Sequence, residues 1–142
     1  MTRIIPDLQC SLLCEEVRQE ANGNPLIIGV LSALRAGQMP MPPIKIVCFN
    51  RWTAGVGEFT ESVKIVAPDG STEISSTKMK FNLEKPELTH TNVQMGVFEF
   101  KEAGTYHVEI SVDDVLKLRY PFPIVLVNPQ GKPQQPEQPA ED

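Results

Sequence analysis

The sequence has no apolar run that approaches the ~20 residues needed for a membrane-spanning helix. Its opening residues, Met1 to Asp7, also lack the long apolar core of a secretory signal peptide. We therefore expect a protein that stays in the cytoplasm and does not enter a membrane.

Positive charge is also scarce. The chain has 13 lysine and arginine residues against 18 aspartate and glutamate residues, a net charge of −5. A protein that neutralises phosphates or anionic lipid headgroups needs a basic surface, which this composition does not supply. Neither nucleic acid nor a membrane surface is an expected partner.

Cysteine is present in an odd number, because Cys10, Cys14 and Cys48 are the only three. An odd set fits free thiols in a reducing compartment better than a disulfide framework. A bridge between Cys14 and Cys48 remains an alternative.

The usual catalytic and metal-binding motifs are missing. There is no Gly-rich phosphate loop, serine nucleophile elbow or zinc-protease signature. The three cysteines, His90 and His107 are metal-ligand types, but on a strand Cys10 and Cys14 would lie ~13 Å apart, too far to share one zinc ion. We predict no metal site, no cofactor and no catalytic residue, and expect the thiols to act as small buried hydrophobes.

What the chain does have is proline. Each of its 13 prolines would cost about 3 kcal/mol inside a helix, so the composition favours strands and turns. Turn signals at Asn22-Gly23, Pro68-Asp69-Gly70 and Asp113-Asp114 separate short apolar segments. The pattern predicts an all-β fold, an immunoglobulin-like antiparallel β-sandwich of seven or eight strands.

Alternation assigns faces to these strands. It places Leu8, Cys10, Leu12 and Cys14 on one face of the first strand. A bulge is expected at Gly96, where the apolar phase changes, and an edge or bulge at Pro121 and Pro123, which lack ladder donors. Tyr106, which opens a late strand, resembles the tyrosine corner of immunoglobulin-like domains.

The composition divides the chain into two regions. Residues 1–128 form a single sandwich domain in this interpretation. Residues 129–142 contain only Pro, Gln, Gly, Lys, Glu, Ala and Asp. A segment with no large apolar side chain cannot offset the entropy cost of ordering, so we expect a disordered tail.

The segment from Leu13 to Gly23, followed by Leu26-Ile27-Ile28-Gly29, resembles the opening of a family of small uncharacterised bacterial proteins, a domain of unknown function. The likeness extends loosely over residues 8–127 and departs from the family at Asn24-Pro25. It implies a β-sandwich and no assigned activity.

Three residues are candidates for a ligand or partner surface: Trp52, Glu61 and Tyr120. Glu61 shares the inward phase of Phe59 and Val63, and we expect it at the rim, where solvent reaches the carboxylate. The strand pattern places Trp52 in the core. A ligand-binding surface would instead use Trp52, Tyr106 or Tyr120 at a sheet surface or at the mouth of the sandwich.

The leading functional hypothesis is a non-catalytic protein-binding or assembly module, with a protein partner or a homo-oligomer paired through a strand edge. The alternative is a small-ligand or carbohydrate-binding sandwich. An enzyme has the least support, since only Glu61 and the thiols suggest one.

Overall fold

The computed structural model describes residues 3–128. Nine β-strands occupy that range: β1 Asp7–Gln19, β2 Pro25–Leu31, β3 Leu34–Ala36, β4 Ile44–Thr53, β5 Gly57–Val66, β6 Glu73–Leu83, β7 Thr89–Phe98, β8 Gly104–Val112 and β9 Val115–Leu126. Within this range, no helix has the length and apolar character to cross a membrane.

The strands form two facing sheets. One has four strands in the order β2-β1-β4-β7, and the other has five in the order β3-β9-β8-β5-β6. Every neighbouring pair is antiparallel except β3 with β9. The predicted immunoglobulin-like sandwich is confirmed, with nine strands instead of seven or eight.

The core lies between the sheets because alternate side chains of each strand point inward. Ile46 and Trp52 of β4 meet Val63 and Ile65 of β5 in a single buried cluster. Fully burying one such aliphatic side chain stabilises the fold by ~1.5–3 kcal/mol. The predicted position of Trp52 in the core is confirmed, with 0% of its surface exposed.

The predicted tyrosine corner is also present. The Tyr106 hydroxyl donates a hydrogen bond of 2.8 Å to the Glu102 carbonyl oxygen. The Phe100 ring meets Tyr106 edge-on, with 5.0 Å between ring centroids. This contact fixes the turn that leads into β8.

The predicted faces of β1 are partly wrong. Leu8 pairs with Trp52 and Cys10 with Arg51, so β1 carries one more residue than β4 at this point. Such a bulge reverses the side-chain phase that follows it. Leu13 therefore packs into the core, and Cys10 and Cys14 lie on the outer face.

The bulge expected at Gly96 is absent. The β4–β7 register runs unbroken from Ile44 opposite Phe98 to Thr53 opposite Thr89. Glycine at position 96 has a packing reason, since a Cβ there would lie 2.9 Å from Cζ of Phe98.

The prediction for Pro121 and Pro123 agrees with the sheet order. On the side away from β8, β9 pairs only with the short β3, at Ile124 to Leu126. In the part of the chain that the structure describes, the preceding half of β9 is therefore an edge. The predicted tail, residues 129–142, lies outside the described residues.

Candidate functional site

Glu61 lies wholly between the two sheets. It points inward from the middle of β5 and has 0% of its surface exposed, so the expectation of a position at the rim is wrong. Its Oε1 accepts a hydrogen bond of 2.7 Å from Nε1 of Trp52, on β4. The structure thus brings together two of the three candidate residues, but in the interior and not on a surface.

Two amides of β7 complete the environment of this carboxylate. Gln94 donates from Nε2 to Oε2 of Glu61 at 2.5 Å, and Asn92 donates from Nδ2 to Oε1 at 3.4 Å. Nε2 of His90 lies 2.8 Å from Oδ1 of Asn92 and extends the network. N–H donors thus take the place of the water lost on burial, and the network ties β5 to β4 and β7.

Cys48 borders this network and is equally inaccessible. Burial raises the pKa of its thiol to about 12, and the nearby Glu61 charge acts in the same direction. The thiol is 3.6 Å from Oδ1 of Asn50, to which it donates a weak hydrogen bond. A nucleophilic cysteine needs a lowered pKa, so Cys48 has the properties of a structural thiol.

Tyr120, the third candidate, stands apart from Trp52 and Glu61. Its hydroxyl shares a hydrogen bond of 3.0 Å with Oγ of Ser11, across from β9 to β1. Burial raises the pKa of Tyr120 above its ordinary value. This side chain joins the two sheets at the β1–β9 side and offers little free surface to a ligand.

The three cysteines are free thiols and do not form a common site. Cys48 points into the core, whereas Cys10 and Cys14 lie on the opposite face of the same sheet. Among residues 3–128, no group of three or more His, Cys, Asp or Glu side chains is placed to hold a metal ion.

A groove of 410 Å³ opens at one end of the five-stranded sheet, beside β5 and β6. Two of its charged side chains bind each other, since Arg3 forms an ion pair with Asp113. The Arg3 guanidinium also lies 4.6 Å from the centre of the Phe59 ring. Arg3 is therefore already engaged by Asp113 and Phe59, and no observation favours a ligand in the groove.

The outer face of the four-stranded sheet has a different character. One row across it consists of Val30, Cys14, Val47 and Met95, each directly opposite the next. The centre is shielded, since Val47 is 4% exposed. Exposure is concentrated on the two outer strands, with Val30 54% exposed on β2 and Met95 67% exposed on β7.

The four sheet edges differ in charge. On β6 the edge carries Lys78 and Lys80, and the free part of β9 carries Lys117, Arg119 and two prolines. Charges and prolines of this kind prevent pairing with another strand. Neither β2 nor β7 contains a lysine, arginine, aspartate or glutamate. Both unprotected edges therefore belong to the four-stranded sheet, whose outer face carries this apolar row.

The model of the Family of unknown function (DUF6941) matches residues 9–125. The chain belongs to DUF6941. No curated protein matches the sequence. Among solved structures, an immunoglobulin-like protein from Pseudomonas aeruginosa is similar, with 16% identity over 84% of this chain and 96% of that chain and a TM-score of 0.35.

Sequence reasoning about this DUF6941 chain missed the outer face, although part of the signal was present. Val93, Met95 and Val97 alternate with polar Asn92 and Gln94. Alternation alone does not say which set points inward, and apolar residues normally do. Here the polar set points inward because Glu61, on the other sheet, accepts its hydrogen bonds.

Proposed function

We propose that this protein is a non-catalytic protein-binding module that contacts its partner through the outer strands of the four-stranded sheet. The exposed apolar side chains of those strands carry the proposal: Leu26, Val30, Val93, Met95 and Val97. They form one group on β2 and one on β7, with β1 and β4 between them. Monomeric proteins rarely expose contiguous apolar patches larger than a few hundred Å² unless the patch serves an interaction.

The interior supports a role without catalysis. Glu61 and Cys48 are both buried, and each already has hydrogen-bond partners. A general acid or a nucleophile must reach the substrate, and neither group does so in this fold.

The position of Trp52 does not favour ligand stacking as a second function. The indole is fully buried and bound to Glu61. A sugar or other planar ligand needs an accessible aromatic face, which this side chain does not provide.

Affinity purification of the tagged protein from its native host, with mass spectrometry, tests the proposal. The comparison includes Val30→Lys and Val97→Lys, one on each outer strand. Leu116→Lys is the matched control, because Leu116 is 53% exposed on β9 of the other sheet. We expect a stoichiometric partner, or untagged copies of the chain, with the wild type and Leu116→Lys and less with one or both test variants. Equal recovery with all four proteins, or none with any, would contradict the proposal.

A further inference from the structure

Strand β7 forms a long free edge with its apolar side chains exposed. It pairs with β4 through all ten of its residues and borders no other strand of the described sheet. Val93, Met95 and Val97 point to the outer face and are 38%, 67% and 70% exposed. An extended edge of this kind presents unpaired backbone groups to another strand.

The other unprotected edge is less suitable. Strand β2 has seven residues and begins with Pro25, which has no backbone donor. Its Gly29 has a φ of +68°, which interrupts the extended conformation needed for a regular ladder. No residue of β7 has a positive φ, and the register of β7 with β4 has no shift.

Hydrogen bonds in the interior also hold β7 in position. Asn92 and Gln94 alternate with the exposed residues and donate hydrogen bonds to Glu61. The strand that carries the outward side chains is therefore hydrogen-bonded to the core on its inner face. Such preorganisation reduces the entropy cost of association.

We propose that β7 pairs antiparallel with β7 of a second copy of this chain, about a two-fold axis at Met95. The proposal rests on the protein-binding function above and names the partner. In this register Met95 lies opposite its own equivalent, and Val93 lies opposite Val97 of the other copy. Each contact on the outer face is thus an apolar cross-strand pair of the type that stabilises sheets.

Symmetry and charge favour a second copy as the occupant. The Val-Gln-Met-Gly-Val sequence has an apolar residue at equal spacing on both sides of Met95, so the strand is complementary to itself when reversed. Each copy carries a net charge of −5, but β7 contains no Asp, Glu, Lys or Arg. Two copies can therefore meet along this edge without opposing like charges.

Sedimentation equilibrium of the purified full chain over a wide concentration range is the first test. We expect a dimer that dissociates on dilution. Met95→Lys should give a monomer, because the two-fold axis places its two ammonium groups opposite each other. Leu116→Lys should remain dimeric. Circular dichroism checks that both variants are folded.

Disulfide trapping tests the register in a Cys10→Ser background, which removes the most accessible native thiol. Opposed antiparallel residues have Cα atoms about 4.5–5.5 Å apart, within the range of a disulfide. Met95→Cys should therefore form a covalent dimer under mild oxidation. Val93→Cys alone should not, because its two copies would be roughly 13 Å apart. A mixture of Val93→Cys and Val97→Cys should form a mixed dimer.

The outcomes separate this proposal from the general function. A monomer at every concentration overturns β7 self-pairing, even if affinity purification recovers a different protein that is sensitive to Val97→Lys. A dimer that survives Met95→Lys but is lost in Val30→Lys would place the contact on β2 and also overturns it. Failure of both experiments would remove the protein-binding function itself.

Discussion

At the scale of single residues, Glu61 is expected to contribute strongly to the stability of the fold. Glu61→Ala leaves the buried N–H groups of Trp52, Asn92 and Gln94 without their acceptor. We expect the free energy of unfolding to fall by about 3 kcal/mol, since each unsatisfied buried group costs about 1–3 kcal/mol. Urea unfolding measures this change.

Glu58→Ala is the matched control, because Glu58 lies on the same strand and is exposed. It should change the free energy of unfolding by no more than about 0.5 kcal/mol. Equal values for Glu61→Ala and Glu58→Ala would show that the buried network contributes nothing to stability.

Cys48 makes the folding stability of the molecule depend on pH in the alkaline range. In the folded chain the pKa of its thiol is raised from 9.0 to about 12. Below about pH 9 the thiol is protonated in both states. Between about pH 9 and pH 12 it ionises only in the unfolded chain, so the unfolded state binds fewer protons and stability is lost as pH rises.

We expect the Cys48 contribution to approach a loss of about 1.4 kcal/mol per pH unit in that window. Cys48→Ala lacks the titrating thiol, whereas both proteins retain Tyr106 and Tyr120. Below about pH 10 the difference between their unfolding free energies therefore reports Cys48. At higher pH Tyr120 contributes as well, because its pKa is raised by burial and also by the neighbouring Cys48. A difference that does not vary from pH 8 to about pH 11 would contradict the assignment.

For single residues, the sequence predicted which face of a strand a side chain lies on, but it did not predict what surrounds that side chain. The alternation of β4 and β5 correctly pointed Trp52 and Glu61 inward. It could not reveal that Glu61 has hydrogen-bond donors, because Gln94 is distant in sequence and belongs to the other sheet. With no donor visible, the rim was the expected place for a carboxylate.

At the scale of elements, Gly104 lies where two parts of the five-stranded sheet meet. It begins β8 and lies against Pro68, in the turn that follows β5. Its φ of +142° is a conformation that residues with a Cβ rarely adopt, and a Cβ would lie 2.7 Å from Cγ of Pro68. Gly104→Ala should therefore destabilise the protein by about 1–3 kcal/mol through backbone strain alone. Thermal unfolding measures the change.

Gly37→Ala provides the comparison. A Cβ at Gly37 would have no atom within 4 Å, and its φ lies outside the positive region. We expect no loss of stability, or a gain of up to about 1 kcal/mol from reduced freedom of the unfolded chain. If both variants lose the same stability, neither the positive φ of Gly104 nor its close approach to Pro68 constrains this position.

Strand existence was predictable from turn chemistry, but strand register was not. Asn22-Gly23 and Pro68-Asp69-Gly70 separate strands as expected, and Gly23 and Gly70 have positive φ values. The bulge after Leu8 has no comparable signature, since the residue that it adds is Gln9. One extra residue was enough to move Cys10 and Cys14 to the outer face.

At the scale of the whole molecule, the two sheets depend on each other. Glu61 of the five-stranded sheet binds Trp52 and Gln94 of the four-stranded sheet, and Tyr120 binds Ser11 at the β1–β9 side. Separating the sheets would break these contacts and expose the shared core. The described domain should therefore unfold in one cooperative step.

Trp52 is the only tryptophan and makes this expectation measurable. Its fluorescence reports the contact between the sheets, while far-ultraviolet circular dichroism reports the strands. We expect both signals to change at the same urea concentration, with the same slope. In Glu61→Ala both transitions should move together to lower urea. If Trp52 fluorescence changed first while the strands persisted, the sheets would separate before they unfold, and the buried network would be a local contact instead of the link between them.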